Sequence, residues 1–153
     1  MLFRSAFRAV EIYSGRLIGN KILVPGNHDF NHSYHKKSRT PENQEKWHQK
    51  YRDYGWNVLP EQTTLDLPGF GVVNMCHHPY ADHHELKVGD KYAKWRPADD
   101  GKILLCGHIH ETWKTKRSPN GTLMINVGVD QHGFKPVSLD QILAIIAKEN
   151  SVS

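Results

Sequence analysis

Three short runs carry the side chains most capable of chemistry: Gly26-Asn27-His28-Asp29, His77-His78-Pro79 and Gly107-His108-Ile109-His110. Amide oxygen, carboxylate and neutral imidazole together suit a borderline cation such as zinc, manganese or iron better than calcium. In the first run Gly26 permits a sharp turn. Asn27 offers an amide oxygen to a metal, and His28, one position on, points elsewhere and can move a proton. In the third run two imidazoles lie two positions apart, on the same side if the segment is extended. Such a pair holds one metal or reaches two adjacent ones. His77 completes the first site, with Pro79 stiffening the turn behind it; His78 reads as a pocket-lining group rather than a ligand.

Each run follows an apolar stretch: Ile22-Leu23-Val24-Pro25, Val72-Val73-Asn74-Met75-Cys76, and Ile103-Leu104-Leu105-Cys106. These read as buried strands bounded by turn formers, and the carboxyl edge of such strands is where open α/β sheets place their ligands. Taken singly, a strand-end His is most often a satisfied polar residue, and Gly-Asn-His-Asp is as well explained by an Asx turn. All three in this order favour a metal site. Around them, an amphipathic helix is expected over Phe3 to Leu17, with Phe7, Val10 and Ser14 on one face. Thr40 and Pro41 open a second helix that runs to about Tyr54 and stops at Gly55. Trp56 to Leu59 and Thr63 to Leu67 are short strands, and Pro68-Gly69 turns the chain into the next one. Between residues 80 and 101 only two helical turns suggest themselves, Asp82 to Glu85 and Tyr92 to Trp95. Asn120-Gly121 marks a hairpin, and Ser138 with Gln141 forms a capping box on the last helix. The fold class is α/β (α+β), read as one domain over residues 1–153.

With 153 residues, 38% hydrophobic and 24% charged, the chain can bury a core and is not dominated by a disordered tract. No apolar run is long enough to cross a bilayer, and the first ten residues lack a signal-peptide core, so a cytoplasmic protein without a membrane partner is expected. Cys76 and Cys106 suit small buried thiols better than a disulfide. The net charge of +4 fits phosphate-bearing partners weakly, and eleven histidines fit metal binding more strongly. His32, His35, Lys36, Lys37 and Arg39 read as a mobile solvated loop, His83 and His84 as exposed, His132 and Lys135 as rim residues. Trp47, Tyr51 and Trp56 have the spacing of core packing. No contiguous basic patch with interleaved aromatics is legible, so nucleic acid stays open as a partner without being favoured.

The runs resemble motifs of the calcineurin-like metallophosphoesterases, in particular their small bacterial and phage members. Lys21 to Asp29 is similar to that family's third motif with its strand, Cys76 to Pro79 to its fourth, and Gly107 to His110 to its last; Asn126 to Asp130 and Lys135 to Leu139 are also similar. The resemblance covers about residues 16 to 146. It implies a two-metal hydrolase on a metallophosphoesterase-type β-sandwich flanked by helices, cleaving a phosphomonoester or phosphodiester with metal-activated water. By that resemblance Asn27, His77 and His108 ligate one divalent metal (manganese, zinc, iron or nickel) and His110 the other. His28 is then the general acid, with Asp29 orienting its ring.

The chain departs from the family before Gly26, where it has neither Asp nor His. The two earlier motifs, including the Asp that bridges the metals, have no counterpart. Three readings follow: the C-terminal part of a longer or split, N-terminally truncated enzyme, with another chain supplying the missing strands; ligands drawn from Asp82, His83, His84 or Asp130; or a catalytically silent relative that holds one metal. Missing strands also predict an exposed apolar face and an unpaired sheet edge.

Overall fold

The apolar runs become strands and the longer periodic stretches become helices. The computed structural model describes residues 6–82 and 89–151. Within them the chain is α+β, with three α-helices, a two-stranded sheet and a five-stranded sheet. Contacts divide it into two units, Met1–Thr63 and Thr64–Ser153. His83, His84 and the turn expected at Asp82 to Glu85 fall on or against residues outside those described. No helix among the described residues is long and apolar enough to cross a membrane.

The first unit contains α1 (Ala6–Tyr13), β1 (Lys21–Leu23), α2 (Pro41–Asp53) and β2 (Trp56–Val58). The first helix is shorter than its periodicity suggests, because it tightens into a 3-10 turn at Ser14–Arg16. Phe7 and Ser14 are nonetheless buried as its pattern requires. Helix α2 starts as expected: Thr40 Oγ1 accepts the Asn43 N–H at 3.3 Å and Pro41 fills the first helical position. It ends where Gly55 takes φ +81°, a left-handed conformation that glycine adopts without a Cβ clash. The strands β1 and β2 pair in parallel, Lys21 opposite Trp56 and Leu23 opposite Val58. Their inner side joins a core of Phe7, Phe30 and Tyr51 with Leu23, Trp47, Trp56 and Val58 packed on it. The apolar run of β1 predicts a buried strand, but the strand is only half-buried. Ile22 is 56% exposed, because a two-stranded sheet has only one face to pack. Ile18 is also exposed.

The second unit is built on a sheet of order β3-β4-β5-β7-β6, formed by β3 (Gln62–Leu67), β4 (Gly71–Cys76), β5 (Leu104–Cys106), β6 (Thr115–Arg117) and β7 (Leu123–Asn126). Three central strands, β4, β5 and β7, run parallel, and β6 leads through the turn at Ser118 to Gly121 into β7, with which it pairs antiparallel. Parallel strands are buried on both faces and therefore read as unbroken apolar runs. Leu105, Val73, Leu123 and Ile125 meet Ile142 and Ile146 of α3 (Leu139–Ser151) on one face. Leu104, Cys106, Cys76 and Met124 pack with Tyr80 on the other. The capping box forms at the start of α3, with Ser138 N–H to Gln141 Oε1 at 2.9 Å and Gln141 N–H to Ser138 Oγ at 3.2 Å. Both cysteines are free thiols. Burial, and then the neighbouring Cys76, pushes the Cys106 thiol up to about 12, far from the reactive thiolate range.

Candidate metal centre

Parallel pairing decides which motif residues meet. Asn74 lies opposite Leu104 and Met75 opposite Leu105, so β4 and β5 end side by side and release His77-His78 and Gly107-His108 at the same edge. The Gly107 N–H closes on the His77 carbonyl at 3.1 Å, tying the two exits together. Across that tie His108 Nδ1 stands 3.3 Å from His77 Nε2. His78 joins them, and one ring nitrogen from each of His77, His78 and His108 lies within 4.8 Å of the others. The three rings cross rather than stack flat, at 85° for His77 on His78 and 76° for His77 on His108. Tetrahedral nitrogen ligands about 2.0–2.1 Å from zinc stand about 3.3–3.4 Å apart. The His77–His108 pair already has that spacing, and His78 offers the third nitrogen within 4.8 Å. The group can hold a metal ion. His78 is thus a candidate ligand that the sequence reading set aside as pocket lining.

The chain beyond His108 is not extended. His108 has φ 71° and His110 φ 46°, and the Ile109 N–H bonds the Gly107 carbonyl at 2.8 Å across a three-residue turn. Positive φ in a non-glycine residue costs about 1–3 kcal/mol and concentrates at functional sites. Among the described residues only Phe134 shares it. The turn separates the two imidazoles that an extended segment would have aligned. His110 is exposed, with its Nδ1 3.4 Å from Asp130 Oδ2 and outside the three-histidine group.

Two supports for this edge were not legible in the sequence. Asn126, fully buried at the end of β7, donates its amide to the carbonyls of His110 (2.7 Å) and Trp113 (3.0 Å) and accepts the Gly128 N–H at 2.9 Å. A Cβ on Gly128 would stand 2.9 Å from that Asn126 oxygen, which explains the glycine. His132, expected at the rim, bonds the Asn126 carbonyl at 2.9 Å. The second support is the stretch from Asp90 to Arg96. Arg96 pairs with Asp90 and donates to the Pro79 carbonyl at 2.8 Å, bracing the His77-His78-Pro79 turn from behind. Burial acts to raise the Asp90 carboxyl, but bonds from Arg96 and the Tyr92 N–H and the Arg96 charge outweigh it and hold the group below the usual carboxylate range. Tyr92 lies against both His78 and His108, at ring-centre distances of 4.8 and 4.7 Å. Its only sequence signal was a short helical turn in an otherwise unread region.

The Gly26-Asn27-His28-Asp29 run belongs to the first unit. Asn27 is 5% exposed and His28 is exposed, the opposed orientations expected of neighbours leaving a strand. Asp29 spends its carboxylate on the turn itself: one oxygen accepts the Gly26 N–H at 2.8 Å and the other the Tyr51 hydroxyl at 3.3 Å. Its relation to His28 is through charge rather than a hydrogen bond. Burial pushes its carboxyl above the ordinary value, and the Gly26 bond, the Tyr51 bond and the His28 charge pull it back only in part.

The loop after this run is not the solvated segment that its composition suggests. Phe30, Asn31, His32 and Ser38 are buried. Glu61 gathers the Ser33 N–H (2.6 Å), the Ser33 hydroxyl (3.0 Å) and Gln44 Nε2 (3.0 Å), and His32 Nε2 lies 3.6 Å from it.

No family model matches the chain, and no solved structure matches it. It is 32% identical over 137 residues to the Gene 66 protein of Mycobacterium phage L5, an alignment covering 84% of this chain and 59% of that protein. It is 31% identical over 127 residues to the Gene 66 protein of Mycobacterium phage D29, covering 78% and 57%. The chain therefore spans less than two thirds of the length of these relatives.

Proposed function

We propose that the chain is a metal-dependent phosphoesterase of the calcineurin-like type that hydrolyses a phosphomonoester or phosphodiester. The observation that carries this reading is the three-imidazole group at the carboxyl ends of two adjacent parallel strands. A divalent cation of the manganese, zinc, iron or nickel kind supplies Lewis acidity toward a phosphoryl oxygen and lowers the pKa of water to about 7. The remaining work falls to the chain's own groups. His77, His78 and His108 would hold the cation; by the resemblance to the family, Asn27 is the residue assigned an amide-oxygen ligand. His110, with Asp130 beside it, is the donor proposed for a second cation. By the same resemblance His28, which is exposed to solvent, is the group assigned to protonate the leaving oxygen. Asp29 holds the turn that carries His28.

A second reading is favoured by one feature: among the described residues the three-histidine group includes no carboxylate, where the resembled family uses a bridging Asp. On that reading the chain binds one metal and is catalytically silent. Hydrolysis of aryl phosphomonoesters and phosphodiesters with added manganese separates the two. The phosphoesterase reading expects wild-type turnover to exceed that of His28→Ala by about 10²-fold or more, and His108→Ala to be inactive. A wild-type rate equal to both variants selects the silent reading.

Two further elements belong to the proposal. A second chain that supplies strands fits the exposed Ile18 and Ile22 and a β1 edge that no described strand pairs. A cytoplasmic location fits two buried free thiols.

A further inference from the structure

We infer that the stretch from His28 to Arg39, backed by Trp47 and Lys50 of α2, is a docking surface for the phosphate backbone of a nucleic-acid strand. The inference takes its ligand class from the phosphoesterase reading and names the substrate that reading leaves open.

Charge distribution is the first support. Residues 1–63 carry ten Lys and Arg against six Asp and Glu, a net +4, whereas residues 64–153 carry ten against ten. The whole net charge of the chain thus resides in the first unit. Between Asp29 and Glu42 there are three cations, Lys36, Lys37 and Arg39, and no acid. All three are exposed, and none forms an ion pair with a described carboxylate.

The second support is that the loop carrying these cations, and the Lys37 side chain itself, are held. The Glu61 cluster pins the start of the loop, Ser38 donates its hydroxyl to the Phe30 carbonyl, and the Lys37 N–H bonds His35 Nδ1 at 3.2 Å. Lys37 Nζ sits 3.9 Å from the centre of the Phe30 ring, and Trp47 lies between Lys37 at 5.0 Å and Lys50 at 4.1 Å. Basic and aromatic groups that are scattered in the sequence are therefore interleaved in space. The His35 imidazole is lowered first by burial and then by the charges of Lys37, Lys36 and His28, so these groups share one field. Like charges fixed together without a counter-charge repel one another, and an incoming polyanion relieves that repulsion. Because the loop is already ordered, little entropy remains to be lost when a strand docks. The aromatic faces are occupied by ammonium groups rather than open to bases. The expected mode is backbone contact without sequence preference, driven by counterion release.

The test uses the intact chain in EDTA, so that binding is read without hydrolysis, with a fluorescein-labelled oligothymidylate followed by anisotropy across a salt series. Lys36→Gln/Arg39→Gln is compared with Lys135→Gln/Lys148→Gln, which removes the same charge from the second unit. Circular dichroism melts confirm that both variants fold. The loop variant is expected to weaken binding about tenfold at 50 mM salt and to flatten the log–log salt slope by about 1.4, two phosphate contacts at about 0.7 each. The control pair is expected to stay within about twofold. Equal losses in the two variants, no binding by the wild type, or displacement by polyglutamate as effective as by unlabelled DNA would each overturn the assignment. DNA binding by a chain that hydrolyses no aryl phosphate leaves this surface standing and removes the enzymatic reading; hydrolysis without DNA binding does the reverse.

Discussion

His108→Ala is expected to abolish stoichiometric binding of a divalent metal, lowering affinity by more than about 100-fold, the most that loss of an outer-shell partner typically costs. His108 Nδ1 and His77 Nε2 set the one inter-ligand distance that already matches a coordination edge, and removing either leaves two of the three imidazoles. His110→Ala is the internal control. That ring is exposed, paired with Asp130 and outside the group, so its loss should change affinity for the first metal by less than about threefold, well below the outer-shell range. His108→Gly adds a readout that a merely structural role would not produce. Glycine accepts φ 71° without strain, so this variant should melt at or above the wild-type temperature while losing the metal, a separation of stability from function. Isothermal titration with zinc or manganese, beside thermal melts in EDTA, reads both effects. Retained affinity in His108→Ala would remove that residue from the site.

Glu61→Ala is expected to destabilise the first unit by about 3 kcal/mol. It removes the acceptor for Ser33 and Gln44 and the charge facing His32, whose side chain is buried. Hydrogen bonds to a charged acceptor contribute about 1.5–3 kcal/mol each, and losing those from Ser33 and Gln44 together at a partly exposed carboxylate gives about that total. Denaturant melts should show the loss, and hydrogen exchange should show faster opening of residues 30–39. The pH dependence follows from His32. Burial lowers its pKa below 6.5, Glu61 opposes that shift, and His35 adds to it. The unfolded chain therefore binds the proton more readily, and stability is lost as pH falls through about 6.5 toward the folded value. In Glu61→Gln the opposing charge is gone, so the folded value drops further and acid sensitivity increases. A Glu61→Gln variant no more acid-sensitive than wild type would contradict the pairing.

Where a local rule acts alone, the sequence was readable. Thr40-Pro41, Gly55, the Asn120-Gly121 hairpin and the Ser138–Gln141 box form within a residue or two of expectation, because each depends on neighbours in the chain. Strand-end histidines could be placed at one edge, since β4 and β5 are largely apolar runs. His77 and His108 were named for one site and their rings meet, but that His78 joins them and His110 does not could not be read. That depends on the register of two parallel strands, which brings His78 in, and on left-handed backbone at His108 and His110, which turns His110 out. Asn126 and Arg96 act through contacts with residues distant in sequence, which leave no periodic signal. The Phe30 to Arg39 loop misled by composition: polar residues read as solvated, but Glu61 lies more than twenty positions away and its bonds order the segment. Likewise the lysines of the loop and of α2 meet over Trp47 only after folding.

X-ray absorption at the metal edge, on the chain loaded with one equivalent of zinc, addresses the three-imidazole centre most directly. The account predicts three imidazole nitrogens at about 2.0–2.1 Å, with the outer-ring scattering that identifies histidine. Failure to take up one equivalent, or a bound ion with a single imidazole and otherwise oxygen ligands, would contradict it.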